Sequence, residues 1–322
     1  MSTLDTIIID GLAFALPMFI MAIGGIFSEK SGITNLALEG LQGFGAFCGG
    51  LTAVLMLRSF EGSSQIPYYV SFIAAIAGGM IYSLIHVALC IKFRANQVIS
   101  GVVVNILAAA LTGFLAKRIN DGVFGQPSNK FVLETSVRFS VPGLSRIPVI
   151  GAIFKNVYPF EVMIIVIAAL MWFVMYRTPF GMHLRACGDN PHAADAAGIN
   201  VNRVRTIAVM ISGGLSAIAG MSYAYSITSN FSPDIFLGYG YLSIAALIFG
   251  NWSVLPTLGA CLIFGFARSS GQALITQLGM PSSYNDLVRI LPYLLTLLLL
   301  IFFSKHNNSP RALGEIYDKG KR

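Results

Sequence analysis

Charge is what this 322-residue sequence has least of: 11% of its residues are Asp, Glu, Lys or Arg, against 55% hydrophobic. A soluble domain carries about a quarter charged residues, so that class is excluded, and the mean hydropathy of +0.73 agrees. Cysteine is scarce as well. Cys48, Cys90, Cys187 and Cys261 are scattered, three of them within apolar runs and none in a CxxC pair, which argues against a disulfide framework or a zinc site. The first ten residues carry Asp5 and Asp10 and no basic cluster, so no cleavable signal is expected. Catalytic signatures are missing: there is no HExxH, GxSxG or kinase set. Gly24–Ser31 has a superficial likeness to a phosphate loop, but Glu29 stands where its second glycine is required, and Gly43 with Gly45 lacks the third glycine of a dinucleotide fingerprint. The chain is not expected to be an enzyme, to hydrolyse ATP by itself or to hold a metal or cofactor.

Long apolar runs are what it does have. They fall at about residues 6–27, 33–57, 67–91, 97–117, 159–177, 204–227, 236–250, 254–271 and 286–303, several of them reaching the roughly 18–20 residues that cross a bilayer. Backbone in lipid must bond within its own segment, so the runs predict helices. The expected fold is an all-α polytopic membrane protein of about nine spans (range 8–10), forming one transmembrane domain over 1–322. Placing 28–32, 92–96, 178–203 and the 304–322 tail on one side gathers Lys30, Lys92, Arg94, Arg177, Arg185, Arg203, Arg205, Lys305, Arg311, Lys319, Lys321 and Arg322 there. That side is expected to be cytoplasmic. The 118–158 interval is then external, where 147–154 is apolar enough for a half-helix, and an odd span count puts the N-terminus outside. The formal charge of +7 reads as loop anchoring to lipid, not nucleic-acid binding.

Between two apolar runs lies a polar, alanine-rich stretch, 185–200. Asn190 is a good N-cap, and Pro191 suits a first helical position. Gly198 suits the left-handed residue that closes a helix. Two turns result, Pro191 to Ala197, with Ala193, Ala194, Ala196 and Ala197 presenting almost no side chain. A helix this short is marginal alone, and small residues let another surface approach its backbone. The stretch is therefore predicted to be a cytoplasmic knob inserted into a partner protein.

Polar residues inside apolar runs face a cavity or a partner more often than lipid. Asn35 and Glu39, four apart, are expected on one helix face; Asn105 and Gln97 sit in the fourth run, and His86 reads as a packing residue. For the first four, a solute pathway competes with plain interhelical bonding. Tyr239 and Tyr241, flanked by Gly238 and Gly240, suit either interface anchoring or stacking on a planar ligand. Asp286 and Arg289 are expected to pair with each other or with Arg268 near the outer surface.

Several segments together resemble the inner-membrane permeases of bacterial ABC importers, in the branch that includes ribose-type sugar and nucleoside permeases. The stretch GDNPHAADAAG (188–198) is similar to that branch's cytoplasmic loop. The segment SGITNLALEGLQGFGAF (31–47) resembles the second span of the nucleoside-type members. NQVISGVVVN (96–105) is similar to their NEVIS segment, with Gln97 where Glu is usual. Residues 239–250, followed by Pro256 and Gly259, resemble a late span. The resemblance implies a permease subunit moving a small polar solute, nucleosides ahead of a simple sugar such as ribose. Its partners would be a cytoplasmic ATPase, an extracytoplasmic substrate-binding protein and a second permease chain, in a heterodimer or a homodimer. It also implies coupling through Gly188, Asp189, Asn190, Pro191, Ala194, Asp195 and Gly198, with Asn35, Glu39, Gln97, Asn105 and Tyr239 as pathway candidates. An ion-coupled secondary transporter is the competing class. It calls for paired intramembrane acids or matched broken helices, and Glu39 has no evident partner in the sequence.

Overall fold

The computed structural model describes residues 2–57, 65–125, 127–133, 138–147, 150–281, 284–303 and 308–320. The long helices are α1 (Thr3–Lys30), α2 (Leu38–Leu57), α3 (Ile66–Val87), α4 (Gln97–Ile119), α5 (Pro159–Arg177), α8 (Val201–Tyr223), α10 (Val254–Gln277) and α11 (Asn285–Phe303). Between them lie three short ones: α6 (Pro179–Asp189), α7 (Pro191–Ala196) and α9 (Tyr239–Phe249). Among the described residues, seven helices are long and apolar enough to cross a membrane. Every apolar run in the sequence contributes a helix, though not always over its full length. The shortest, α9, is 11 residues long, about 16 Å at 1.5 Å per residue, which is half a bilayer.

Two helices make the centre. The apolar windows of α1 and α8 are 78% and 83% buried, against 28% for α5. The outer helices α4 and α5 present Ile99, Ile106, Phe114, Ile165, Val166 and Phe173 outward, as lipid-facing surface does. Close approach between helices depends on small residues where lipid offers no hydrophobic drive. At the α3–α8 crossing a Cβ on Gly79 would lie 2.4 Å from the Gly213 carbonyl oxygen, and one on Gly213 would lie 2.4 Å from that of Gly79. Neither position has room for a side chain.

Two sequence expectations need correction. The second run becomes helical only at Leu38, so Asn35 lies outside the helix and does not share a face with Glu39. The break precedes α2 because Asn35 Oδ1 accepts from the Ala37 amide at 3.0 Å and holds a side chain-to-backbone turn that competes with helix. Among the described residues of the 147–154 stretch, Ile150–Phe154 is a short 3-10 segment and not an α-helical half-span. The 118–158 interval is further pinned by a two-residue ladder, Phe131 and Val132 against Phe231 and Asn230. The side chains of Asp286 and Arg289 lie outside the described residues.

Candidate coupling site and transit path

The knob forms as its sequence requires. Thr178 caps α6, and Asn190 ends α6 while capping α7, its Oδ1 accepting from the Ala193 amide at 3.0 Å. At the other end the Gly198 amide donates to Asp195 O at 2.9 Å and the Ile199 amide to Ala194 O at 3.0 Å. These two bonds close a Schellman motif, with Gly198 at φ +85°. Pro191 and Ala194 face inward and are buried, whereas His192, Ala193, Ala196, Ala197 and Gly198 are exposed. The outer face of this two-turn peg is therefore nearly bare backbone, and Asp189 and Asn190 flank it in the open.

Its base is tied to the bundle. Gly188 sits so close to the end of α1 that a Cβ there would lie 2.2 Å from the Lys30 carbonyl oxygen. Arg185 donates to the Met175 carbonyl. Arg205, read as one of the loop's anchoring cations, is 2% exposed and donates to Ser31 O at 3.0 Å and Glu315 O at 3.3 Å. Arg203 stays exposed.

The segment after residue 307 is a strap across this face, which its basic composition alone did not suggest. The Ala312 amide donates to Gly188 O at 2.8 Å and the Gly314 amide to Gly32 O at 3.1 Å. Asp318 pairs with Arg94 at 2.9 Å, Lys319 lies 3.8 Å from Asp195, and the Tyr317 ring stands 5.3 Å from that of His192. Two open clefts result, one of about 860 Å³ between Lys30, Asp189 and Arg311, the other of about 1010 Å³ between His192, Asp195, Asn202 and Tyr317. Each surface ion pair contributes little, while each backbone bond to a buried group stabilises by about 0.5–1.5 kcal/mol. Truncation after residue 307 should lower stability by about 2–4 kcal/mol, read as an earlier unfolding transition of the purified protein, whereas Lys319→Ala should leave that transition in place.

The polar residues of the apolar runs meet around the break before α2. Glu39 is 4% exposed, and its carboxylate accepts from the Gly238 amide at 2.8 Å and the Gly240 amide at 2.5 Å. It thus caps the N-terminus of α9 inside the bundle, where orphan amides and the helix dipole favour a negative charge. Asn105 Oδ1 accepts from the Gly40 amide at 2.7 Å, and its Nδ2 donates to Leu36 O at 2.8 Å and Tyr241 Oη at 3.0 Å. Gln97 Oε1 accepts from the Thr34 amide at 2.7 Å, and Asn35 Nδ2 donates to Ser212 at 2.9 Å. His86 contacts Ser100 Oγ at 2.8 Å and Thr34 O at 3.2 Å. The structure therefore brings Asn35, Glu39, Gln97 and Asn105 to one broken segment, bonded mainly to backbone. The Tyr239 side chain packs against Phe14, edge to face, and against Tyr223 and Arg268. At the opposite end of α1, Asp5 pairs with Lys155 at 3.1 Å, so the peg and the 118–158 interval lie about 40 Å apart along a 28-residue helix.

Buried helices, outward apolar faces and a polar peg at one end define a multi-pass α-helical membrane protein. The chain matches the family described as branched-chain amino acid transport system / permease component over residues 7–301, and it belongs to that family. It is 40% identical to the guanosine ABC transporter permease protein NupQ of Bacillus subtilis, covering 99% of this chain and 98% of that one. It is 34% identical to the nucleoside ABC transporter permease protein NupC of Lactococcus lactis, covering 99% of each. A second Bacillus subtilis protein, the guanosine ABC transporter permease protein NupP, is 24% identical over 94% of this chain and 82% of its own length.

Proposed function

We propose that the chain is the membrane-spanning subunit of an ATP-driven importer whose cargo is a nucleoside. The observation that carries this reading is the exposed, side-chain-poor peg at Pro191–Ala196, with its base fixed to α1 through Gly188. A separate cytoplasmic ATPase grips the peg, with Asp189, Asn190, Asp195 and Gly198 around its contact. Closure of that ATPase on ATP moves α6 and, through Gly188 and Lys30, the end of α1. The bundle then alternates between outward- and inward-facing states, with direction set by the solute's different affinity for the two. The names of the relatives at 40% and 34% identity support nucleosides over ribose-type sugars. Two guanosine permease proteins in one organism both align with this chain, which supports a second, different permease as its membrane partner. A substrate-binding protein delivers solute at the 118–158 face.

In this reading the coupling face and both 178–203 and the tail are cytoplasmic, and the N-terminus is outside. Asn35, Glu39, Gln97 and Asn105 hold the α1–α2 break and the start of α9 in register with the path, and Tyr239 lines it. The test is uptake of radiolabelled guanosine into proteoliposomes holding the assembled importer. Uptake that requires lumenal ATP and the ATPase subunit is expected; uptake driven by a pH gradient alone, without the ATPase, overturns the proposal.

A further inference from the structure

Arg268 is a half-buried cation on α10 that is only partly satisfied among the described residues. It lies 14 residues into α10, about 21 Å along the helix, and a charge at that depth is retained where it faces a cavity or a partner. Its Nη1 is shut off from solvent and makes no hydrogen bond. The guanidinium stands 4.2 Å from the Phe14 ring centroid and 5.2 Å from that of Tyr239, and those two rings meet edge to face at 5.1 Å.

A cavity of about 230 Å³ opens beside it, lined by Asp10, Phe14, Arg138, Ser226, Arg268 and Gln272. Phe14 and Arg268 also line a smaller space of about 50 Å³ that continues toward Tyr239 and Tyr293. The two spaces run inward from the end of α1 opposite the coupling peg, and Tyr239 is the first residue of α9, whose N-terminus Glu39 caps. Aromatic faces, a planar donor fork with a free N–H and polar groups at the mouth form a constellation for a flat, uncharged ring system that carries hydrogen-bond acceptors. An aromatic face stacks on any base, while the guanidinium fork distinguishes adjacent acceptors such as O6 and N7 of guanine. An anion would be drawn by Arg268 and Arg138 but repelled by Asp10.

We propose that these two adjoining spaces form a transit subsite for the base of a purine nucleoside, which meets one of the perpendicular Phe14 and Tyr239 rings by its face and the other by its edge while Arg268 donates to its acceptor edge. The proposal rests on the nucleoside reading above and adds to it the place in the membrane where the base is recognised. The ribose then points to the open mouth, toward Asp10 and Gln272.

The test compares guanosine and adenosine uptake by the assembled importer carrying Arg268→Gln or Arg268→Lys. Guanosine uptake should fall at least tenfold in both, because Lys lacks the planar fork. The guanosine-to-adenosine ratio should fall about tenfold, since adenosine offers an amino group where guanosine offers O6. Loss of packing alone would slow both nucleosides equally and leave the ratio unmoved. Phe14→Leu should raise KM for both solutes and leave the ratio in place, and it serves if neither Arg268 variant assembles. A ratio within twofold of the parent, or an unchanged KM in Phe14→Leu, overturns the subsite. Failure of the parent importer to take up either nucleoside overturns the underlying nucleoside reading instead, so the two failures are distinguishable.

Discussion

Gly198→Val leaves the permease inserted and assembled but cuts ATP-dependent uptake at least tenfold. The reason lies in the backbone, not in space. A Cβ at position 198 meets nothing within 4 Å, so no clash unfolds the loop. The residue holds φ +85°, however, and a β-branched side chain there is strained by about 1–2 kcal/mol. Relief comes from opening the turn that closes α7, whose amide bonds at residues 198 and 199 set the angle of the peg. In the proposed mechanism coupling needs that angle, whereas folding does not. The measurement is ATP hydrolysed per nucleoside moved, which should rise sharply while the amount of membrane-inserted complex is unchanged. Gly188→Val is the contrasting case. A side chain there would meet the Lys30 carbonyl oxygen at 2.2 Å, so assembly itself should fail.

Glu39→Ala should have a large effect on stability without abolishing the fold. It strips the α9 N-terminus of both oxygens that accept from Gly238 and Gly240, at a site 4% exposed. Each buried amide left without an acceptor costs about 1–3 kcal/mol, and the total loss should be about 2–5 kcal/mol. Glu39→Gln keeps one carbonyl oxygen and should lose roughly half as much. A shift of the unfolding transition in detergent reads this directly. Unchanged melting in Glu39→Ala would mean that the capping bonds contribute nothing to the fold.

What composition made legible is the part governed by solvent. Nine apolar runs became nine helices because lipid leaves the backbone no alternative, and the peg was legible because Asn190, Pro191 and Gly198 each act on their own neighbours. The pairings that cross the chain were not legible. Glu39 finds its partners 199 and 201 residues away, so in the sequence it is an orphan acid. Asn35 looked helical by spacing, yet its own side chain turns the backbone at Ala37. Arg268 read as a surface cation near Asp286, whereas the fold stacks it on Phe14 from the far end of the chain. The strap after residue 307 read as a basic tail because its docking depends on carbonyl groups of Gly32 and Gly188, and carbonyls leave no mark in a sequence.

The most direct test of the account is to ask which side of the membrane the peg faces and what touches it. A photoreactive residue at Ala193, which is exposed and adds bulk only outward, should form an adduct with the ATPase subunit in intact membranes. Ala193→Cys should resist an impermeant maleimide added from outside. Labelling from outside, or an assembled importer that yields no adduct with its ATPase, would contradict the account.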